Sequence, residues 1–186
     1  GIYLYDKNIF EAVNNIKPSP RGELEISDAH QYLLDKGFGV SYSEITGWWK
    51  DTGKPSDLLE ANRLVLDNIK SDLKGSVDEN STVSGRVQIG ENSRVINSNI
   101  RGPAVIDDNT TIEESYVGPY SAIGKGCVIS GSEVEYSIIM NGCQINQVQR
   151  RIESSLLGND VEILRSKTRP ATHRFMLGDQ SRIEIE

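Results

Sequence analysis

An aliphatic register returns every seventeen residues through the second half of this 186-residue chain, and it leaves few folds open. One column reads Val83, Ile100, Val117 and Val134, and a second reads Ile89, Ile106, Ile123, Met140 and Leu157. A third reads Val95, Ile112 and Ile129, skips at Asn146 and resumes at Ile163. Each period therefore holds three short segments led by an apolar residue. A unit this short cannot bury its own apolar side chains, so stacking successive turns is what closes a core. The pattern predicts a parallel β-helix of triangular section with the lead residues pointing inward. Gly, Asn and Asp suit its corners because they tolerate left-handed backbone. Asn80, Asn92, Asn97, Asn109, Asn141 and Asn159 are the corner candidates, and glycine follows several lead residues, as in Ile89-Gly90 and Ile123-Gly124.

The first part of the chain follows another grammar. Residues 1–5 alternate like a strand, and Ile9, Phe10, Val13 and Ile16 have helical spacing that Pro18 and Pro20 break. A second helix is expected from Ser27 or Asp28 as N-cap to just before Gly37, then a strand over 38–45. A third helix, capped by Ser56, carries Leu58, Leu59, Leu64, Val65 and Ile69. So few elements make a poor domain alone, and the segment reads as the edge of something larger.

Composition narrows the partners. With 20 Lys and Arg against 27 Asp and Glu, a formal charge of −7 and no basic run, a nucleic-acid surface is not expected. No apolar stretch is long enough to span a bilayer, and the first residues do not read as a secretory leader, so a cytoplasmic protein without a membrane partner is expected. Cys127 and Cys143, nearly one coil apart, read as reduced core residues rather than a bridge. His30 and His173 are too few for a three-histidine zinc site.

Three runs, GIYLYD at 1–6, SPRGELEISDA at 19–29 and WWKDTGKPSDLLEAN at 48–62, together with the ending from Arg165, resemble the sugar-1-phosphate nucleotidyltransferases. The resemblance is to the long form of the glucose-1-phosphate thymidylyltransferases, which carries a left-handed β-helix after its catalytic domain. It implies a mainly β protein: residues 1–74 as the last part of an α/β catalytic domain, and 75–186 as a left-handed parallel β-helix of hexapeptide type with a capping tail. The family's glycine-rich loop, first metal-binding Asp and Glu-Lys-Pro motif have no counterpart here. The chain is therefore expected to be a C-terminal piece, inactive alone, of an enzyme that makes an NDP-sugar and pyrophosphate from a sugar 1-phosphate and an NTP.

The resemblance assigns three residues. Asp51 matches a Mg²⁺ ligand, a role suited to a hard carboxylate beside phosphate oxygens. Without the resemblance, an Asp before Thr-Gly reads as a turn residue. Arg21 matches a contact to the sugar phosphate, which a guanidinium grips in bidentate fashion, against the alternative of a solvated loop arginine. Trp49 matches an aromatic beside the sugar. Its neighbour Trp48 is expected in the core, because adjacent residues of an extended chain face opposite ways. Glu23, Glu25 and Asp28 share the motif but are equally explained as acids at a helix start. Lys50 and Lys54-Pro55 depart from the shorter thymidylyltransferases, leaving the substrates open: glucose 1-phosphate with dTTP first, UTP second, and mannose 1-phosphate with GTP third.

Two further readings attach to the second half. Sheet faces and open coil ends invite homo-oligomers, with a trimer of prisms as the simplest packing, so a non-catalytic assembly or regulatory module is the alternative function. Related β-helices carry acyl transfer with a histidine base, for which His173 is the candidate. The basic tail residues Arg165, Lys167, Arg169 and Arg174 read as a cap over the last coil rather than a phosphate clamp, and Ile183 and Ile185 as a final edge strand.

Overall fold

The computed structural model describes residues 2–165, 172–179 and 181–185, and the chain divides into two compact units, Gly1–Asp51 and Thr52–Glu186. Lys167 and Arg169 of the basic tail lie outside the described residues.

The second unit is a parallel β-solenoid of about five coils, consistent with a left-handed β-helix. Among the described residues its strands form three sheets of six, six and five strands, and each strand pairs with its counterpart one coil away. The first sheet contains Val87–Ile89, Ala104–Ile106, Ser121–Ile123 and Ile138–Ile139. The second contains Arg94–Ile96, Thr111–Glu113, Val128–Ser130 and Gln144–Asn146. The third contains Thr82–Ser84, Asn99–Arg101, Tyr116–Val117 and Glu133–Glu135. Inward lead residues meet their own kind in the next coil: Ile106 lies between Ile89 and Ile123, Ile112 between Val95 and Ile129, and Val117 between Ile100 and Val134. All of these are 0–1% exposed. Each such side chain contributes about 1.5–3 kcal/mol by leaving water.

The register slips once, and then recovers. Met140 is 43% exposed, and Ile139 takes the place expected for it, opposite Ile123. Likewise Ile145, not Asn146, sits opposite Ile129, so the third column has no gap. The corner from Val134 to Ile139 is one residue shorter than that from Val117 to Ile123, which draws Ile139 inward. Two extra residues between Ile145 and Ile152, relative to Ile129 and Val134, restore the pairing of Val134 with Ile152. The inward requirement of the core overrode a strict count of residues.

Small hydrogen-bonding side chains tie coil to coil. Ser93 Oγ donates to Asp107 O and accepts from Thr110 N, and Thr110 Oγ1 donates to Gly124 O and accepts from Cys127 N. Cys127 Sγ reaches Met140 O at 3.0 Å, and Cys143 Sγ reaches Gly158 O at 3.0 Å. The free, fully buried cysteines thus continue a Ser/Thr column. Ser81, Ser98, Ser115 and Ser132 form a second column, each oxygen taking an amide of the following coil. At the corners, Asn92, Asn97 and Asn109 adopt left-handed backbone as expected. Near Asn141 and Asn159, however, the left-handed positions are Gly142 and Asp160, while the two asparagines accept the amides of Lys125 and Asn141. The glycines after lead residues serve close approach instead: a Cβ on Gly90 would lie 2.5 Å from Asp108 N.

Helix α3 (Pro55–Leu66) belongs to this unit. It starts one residue before Ser56, with Pro55 in its first turn and the Lys54 N–H donating to Asp57 Oδ2 at 3.0 Å. Asn62 Nδ2 donates to Tyr120 O at 2.9 Å, the Tyr120 hydroxyl donates to Asp67 at 3.0 Å, and Arg63 and Arg86 approach the same carboxylate at 3.4 and 3.9 Å.

The first unit is two helices and loops. α1 (Asn8–Asn15) and α2 (Ile26–Asp35) pack through Ala12, Ala29 and Leu33, with Ile9, Ile16, Tyr32 and Phe38 around them. Glu25, not Ser27 or Asp28, is the N-cap residue of α2. Its end is as expected: Gly37 has φ of 78°, and the Phe38 N–H returns to Leu33 O at 2.9 Å. Residues 2–5 and 38–45 form no strand, and neither do 181–185. A strand needs a neighbouring edge for its amides and carbonyls, and none accompanies these segments among the described residues. No helix among the described residues is long and apolar enough to cross a membrane.

Ile129→Ala, at the centre of the stack, is expected to lower the unfolding free energy by about 2–5 kcal/mol, read by chemical denaturation. Burial pushes the Cys127 thiol up to about 11, and raises Cys143 as well. Both are neutral when folded, so their contribution is complete below the ordinary thiol pKa and is lost as pH climbs towards about 11. Neither thiol should react with an aromatic disulfide reagent near neutral pH until the chain unfolds.

Candidate functional site

All three residues singled out by the resemblance lie in the first unit, on loops rather than on helices. The loop between α1 and α2 closes as a turn: Gly22 N–H donates to Ser19 O at 2.8 Å, and Gly22 takes φ of 81°. This turn lifts Arg21 out, leaving its side chain 70% exposed. The guanidinium is not idle. Nη2 donates to both oxygens of Glu25 at 2.8 and 2.9 Å, Nε donates at 3.2 Å, and Glu23 lies 3.8 Å away. Hydrogen bonds from Arg21 and then Ser19 hold the Glu25 carboxyl below its ordinary pKa.

The geometry therefore adds Glu25 to the site as the group that aims Arg21. The sequence carries that signal as an acid four residues after the arginine, but the same acid also suits a helix start. Glu25 occupies the N-cap position of α2, but its side chain makes no capping hydrogen bond and is given to Arg21.

Trp49 is 49% exposed, in an irregular segment that follows Gly47, whose φ of 103° only glycine adopts readily. Trp48 is 55% exposed, so it is not a core residue. With α1 and α2 burying only three residues between them, this unit has no interior large enough for an indole. Asp51 is exposed, and among the described residues no hydrogen bond or ion pair joins it to Arg21 or Trp49. No group of three or more His, Cys, Asp or Glu gathers in metal-binding geometry among the described residues. As a single exposed carboxylate, Asp51 could supply one oxygen ligand to a divalent cation and would need others to complete the shell.

His173, the acyl-transfer candidate, is exposed in the tail and stacks on Phe175, with ring centroids 5.9 Å apart. Among the described residues no carboxylate bonds to it, so nothing aligns it as a base.

Two family models match the chain: nucleotidyl transferase over residues 1–68, and GlmU-like C-terminal hexapeptide over 113–169. Glucose-1-phosphate thymidylyltransferases of Streptomyces antibioticus and Streptomyces griseus are each 47% identical, over 100% of this chain and 52% of their own length. The low-salt glycan biosynthesis nucleotidyltransferase Agl11 of Haloferax volcanii is 37% identical over the same shares. The chain spans about half the length of these curated relatives. The chain belongs to the sugar nucleotidyltransferases, as a partial member in which a nucleotidyl transferase segment is joined to a hexapeptide β-helix.

Proposed function

We propose that this chain, joined to the half of its relatives that it does not span, makes dTDP-glucose and pyrophosphate from glucose 1-phosphate and dTTP. The observation that carries the reading is a match to glucose-1-phosphate thymidylyltransferases along the entire chain, with Trp49 and Asp51 exposed and Arg21 exposed but paired with Glu25. The catalytic part would run over residues 1–74 and the β-helix over 75–186, in a cytoplasmic enzyme that is inactive as this chain alone.

In that reaction a phosphate oxygen of the sugar phosphate attacks the α-phosphorus of the nucleotide, and pyrophosphate leaves in line. Arg21 holds the sugar phosphate. Glu25 occupies its Nε and Nη2 edge, so phosphate oxygens would reach it through Nη1 or by displacing that carboxylate. Trp49 offers a flat apolar face to the C–H groups of the sugar. Asp51 holds Mg²⁺, which when bound offsets the charge on the α-phosphate.

The β-helix assembles copies of the enzyme, with a trimer as the simplest arrangement. Support comes from an outward column on the first sheet, where Val105, Ala122, Ile138 and Leu156 follow one another in adjacent coils. A continuous apolar stripe on a protein surface favours association.

The test is a chimera in which this chain follows the first half of the Streptomyces antibioticus relative, assayed for pyrophosphate release from glucose 1-phosphate and dTTP. Activity is expected, and a folded chimera that releases none with dTTP, UTP or GTP overturns the reading. Within it, Asp51→Asn should lower kcat by about 100-fold, corresponding to about 3 kcal/mol of lost charge stabilisation. Arg21→Ala should raise KM for the sugar phosphate by about 10- to 100-fold, the scale of a charged hydrogen bond, with Arg21→Lys in between.

A further inference from the structure

By sequence kinship helix α3 belongs with the catalytic segment, since the nucleotidyl transferase match runs through residue 68. By its contacts it belongs to the solenoid, within the unit Thr52–Glu186. One face of the helix makes those contacts. Asn62, Arg63, Leu66 and Asp67 recur at the three- and four-residue spacing that brings side chains to one side. Asn62 Nδ2 donates to Tyr120 O at 2.9 Å, Leu66 is buried, and Asp67 is the C-cap residue.

An acid at a helix C-terminus opposes the helix dipole, so local preference does not explain Asp67. Its surroundings do. The Tyr120 hydroxyl donates to Oδ1 at 3.0 Å, Arg63 lies 3.4 Å from Oδ2, and Arg86 lies 3.9 Å from Oδ1. Hydrogen bonding to Asp67, and then burial, raise the Tyr120 pKa, so the phenol stays a donor at neutral pH. Tyr120 is itself pinned: it takes φ of 60°, which a bulky residue adopts only when its surroundings hold it, and its ring meets that of Tyr136 edge-on at 6.2 Å. Arg86, Pro103, Tyr120 and Tyr136 each precede corresponding strand positions, so the contact rests on four successive coils.

At the other end of the helix, only Thr52, Gly53 and Lys54 separate Pro55 from Asp51. So short a tether passes the placement of the helix start to the carboxylate before it. Catalysis is sensitive to such placement, a misplacement of about 1 Å lowering rates by about 100-fold.

We propose that Asp67 and Tyr120 are positioning residues for nucleotidyl transfer: they clamp α3 onto the solenoid, and the clamped helix restrains Asp51 for Mg²⁺. This rests on the nucleotidyl-transfer reading, and under it the β-helix serves the catalytic site as well as assembly.

Hydrogen exchange of this chain reads the clamp without catalysis. In Tyr120→Phe and in Asp67→Asn, α3 amides should exchange at least about tenfold faster than in the unsubstituted chain, with the central strands Thr111–Glu113 and Val128–Ser130 unchanged. Tyr136→Phe, which keeps its ring on Tyr120, should leave α3 as it was. In the chimera, Tyr120→Phe should lower kcat about tenfold and raise the Mg²⁺ concentration for half-maximal rate about tenfold, with KM for glucose 1-phosphate within about twofold. Loss of folded enzyme alone would lower kcat without moving the Mg²⁺ requirement. Unchanged exchange of α3 overturns the clamp. Faster exchange with an unchanged Mg²⁺ requirement, or a change in sugar-phosphate KM alone, overturns the positioning role. If D67N also loosens the central strands, Y120F decides. An unsubstituted chimera without activity overturns nucleotidyl transfer and the positioning role with it, whereas an active one whose variants behave alike overturns the positioning role alone.

Discussion

Backbone pairing between one coil and the next is the constraint on which the solenoid depends. Each amide and carbonyl on a face is satisfied only by the coil before or after it, so lead residues must fall inward in every turn. Ile139 and Ile145 show how firmly this holds. A corner lost one residue between Val134 and Ile139, and the next long corner absorbed the change before Ile152, leaving the stack of inward aliphatics unbroken. The Ser/Thr/Cys columns obey the same rule with side chains: the hydroxyl oxygens accept amides of the following coil, and the two thiols reach its carbonyls.

The first unit lives under a different constraint. Among the described residues only Ala12, Ala29 and Leu33 are buried there, and the expected strands at 2–5 and 38–45 have no edge to join. What it preserves is local geometry. The Ser19–Gly22 turn, the Gly37 helix stop and the Glu25 fork on Arg21 are all set by contacts within a few residues. Those contacts fix the Arg21 loop locally, whereas Trp48 and Trp49 both lie open.

What the sequence made legible follows from range. The solenoid was readable because its core repeats: Val95, Ile112 and Ile129 announce themselves by period alone. The slip at Met140 was not, because corner length carries no hydropathy signal and the inward position passes silently to an equally aliphatic neighbour. Corner asparagines were half readable, since the side chain that tolerates left-handed backbone at Asn92 also serves as an amide acceptor at Asn141. Asp51, Arg21 and Trp49 came from family resemblance. The role of Glu25 was hidden because an acid at a helix start reads as a cap, whereas its carboxylate bonds Arg21 and makes no capping hydrogen bond.

The two ends of the solenoid differ from its middle. Val77 and Val83 in the first coil, and Ile152, Leu157 and Ile163 in the last, are only partly buried, whereas Ile112, Ile123 and Ile129 are sealed. A stack held by nearest-neighbour contacts loses its outermost members first. The molecule should therefore breathe from its ends like a coil spring unwinding, with the central turns as its most durable part. Helix α3, fastened at Tyr120 and Arg86, grips that durable part, so whatever is joined to the helix inherits the steadiest portion of the chain as its foundation.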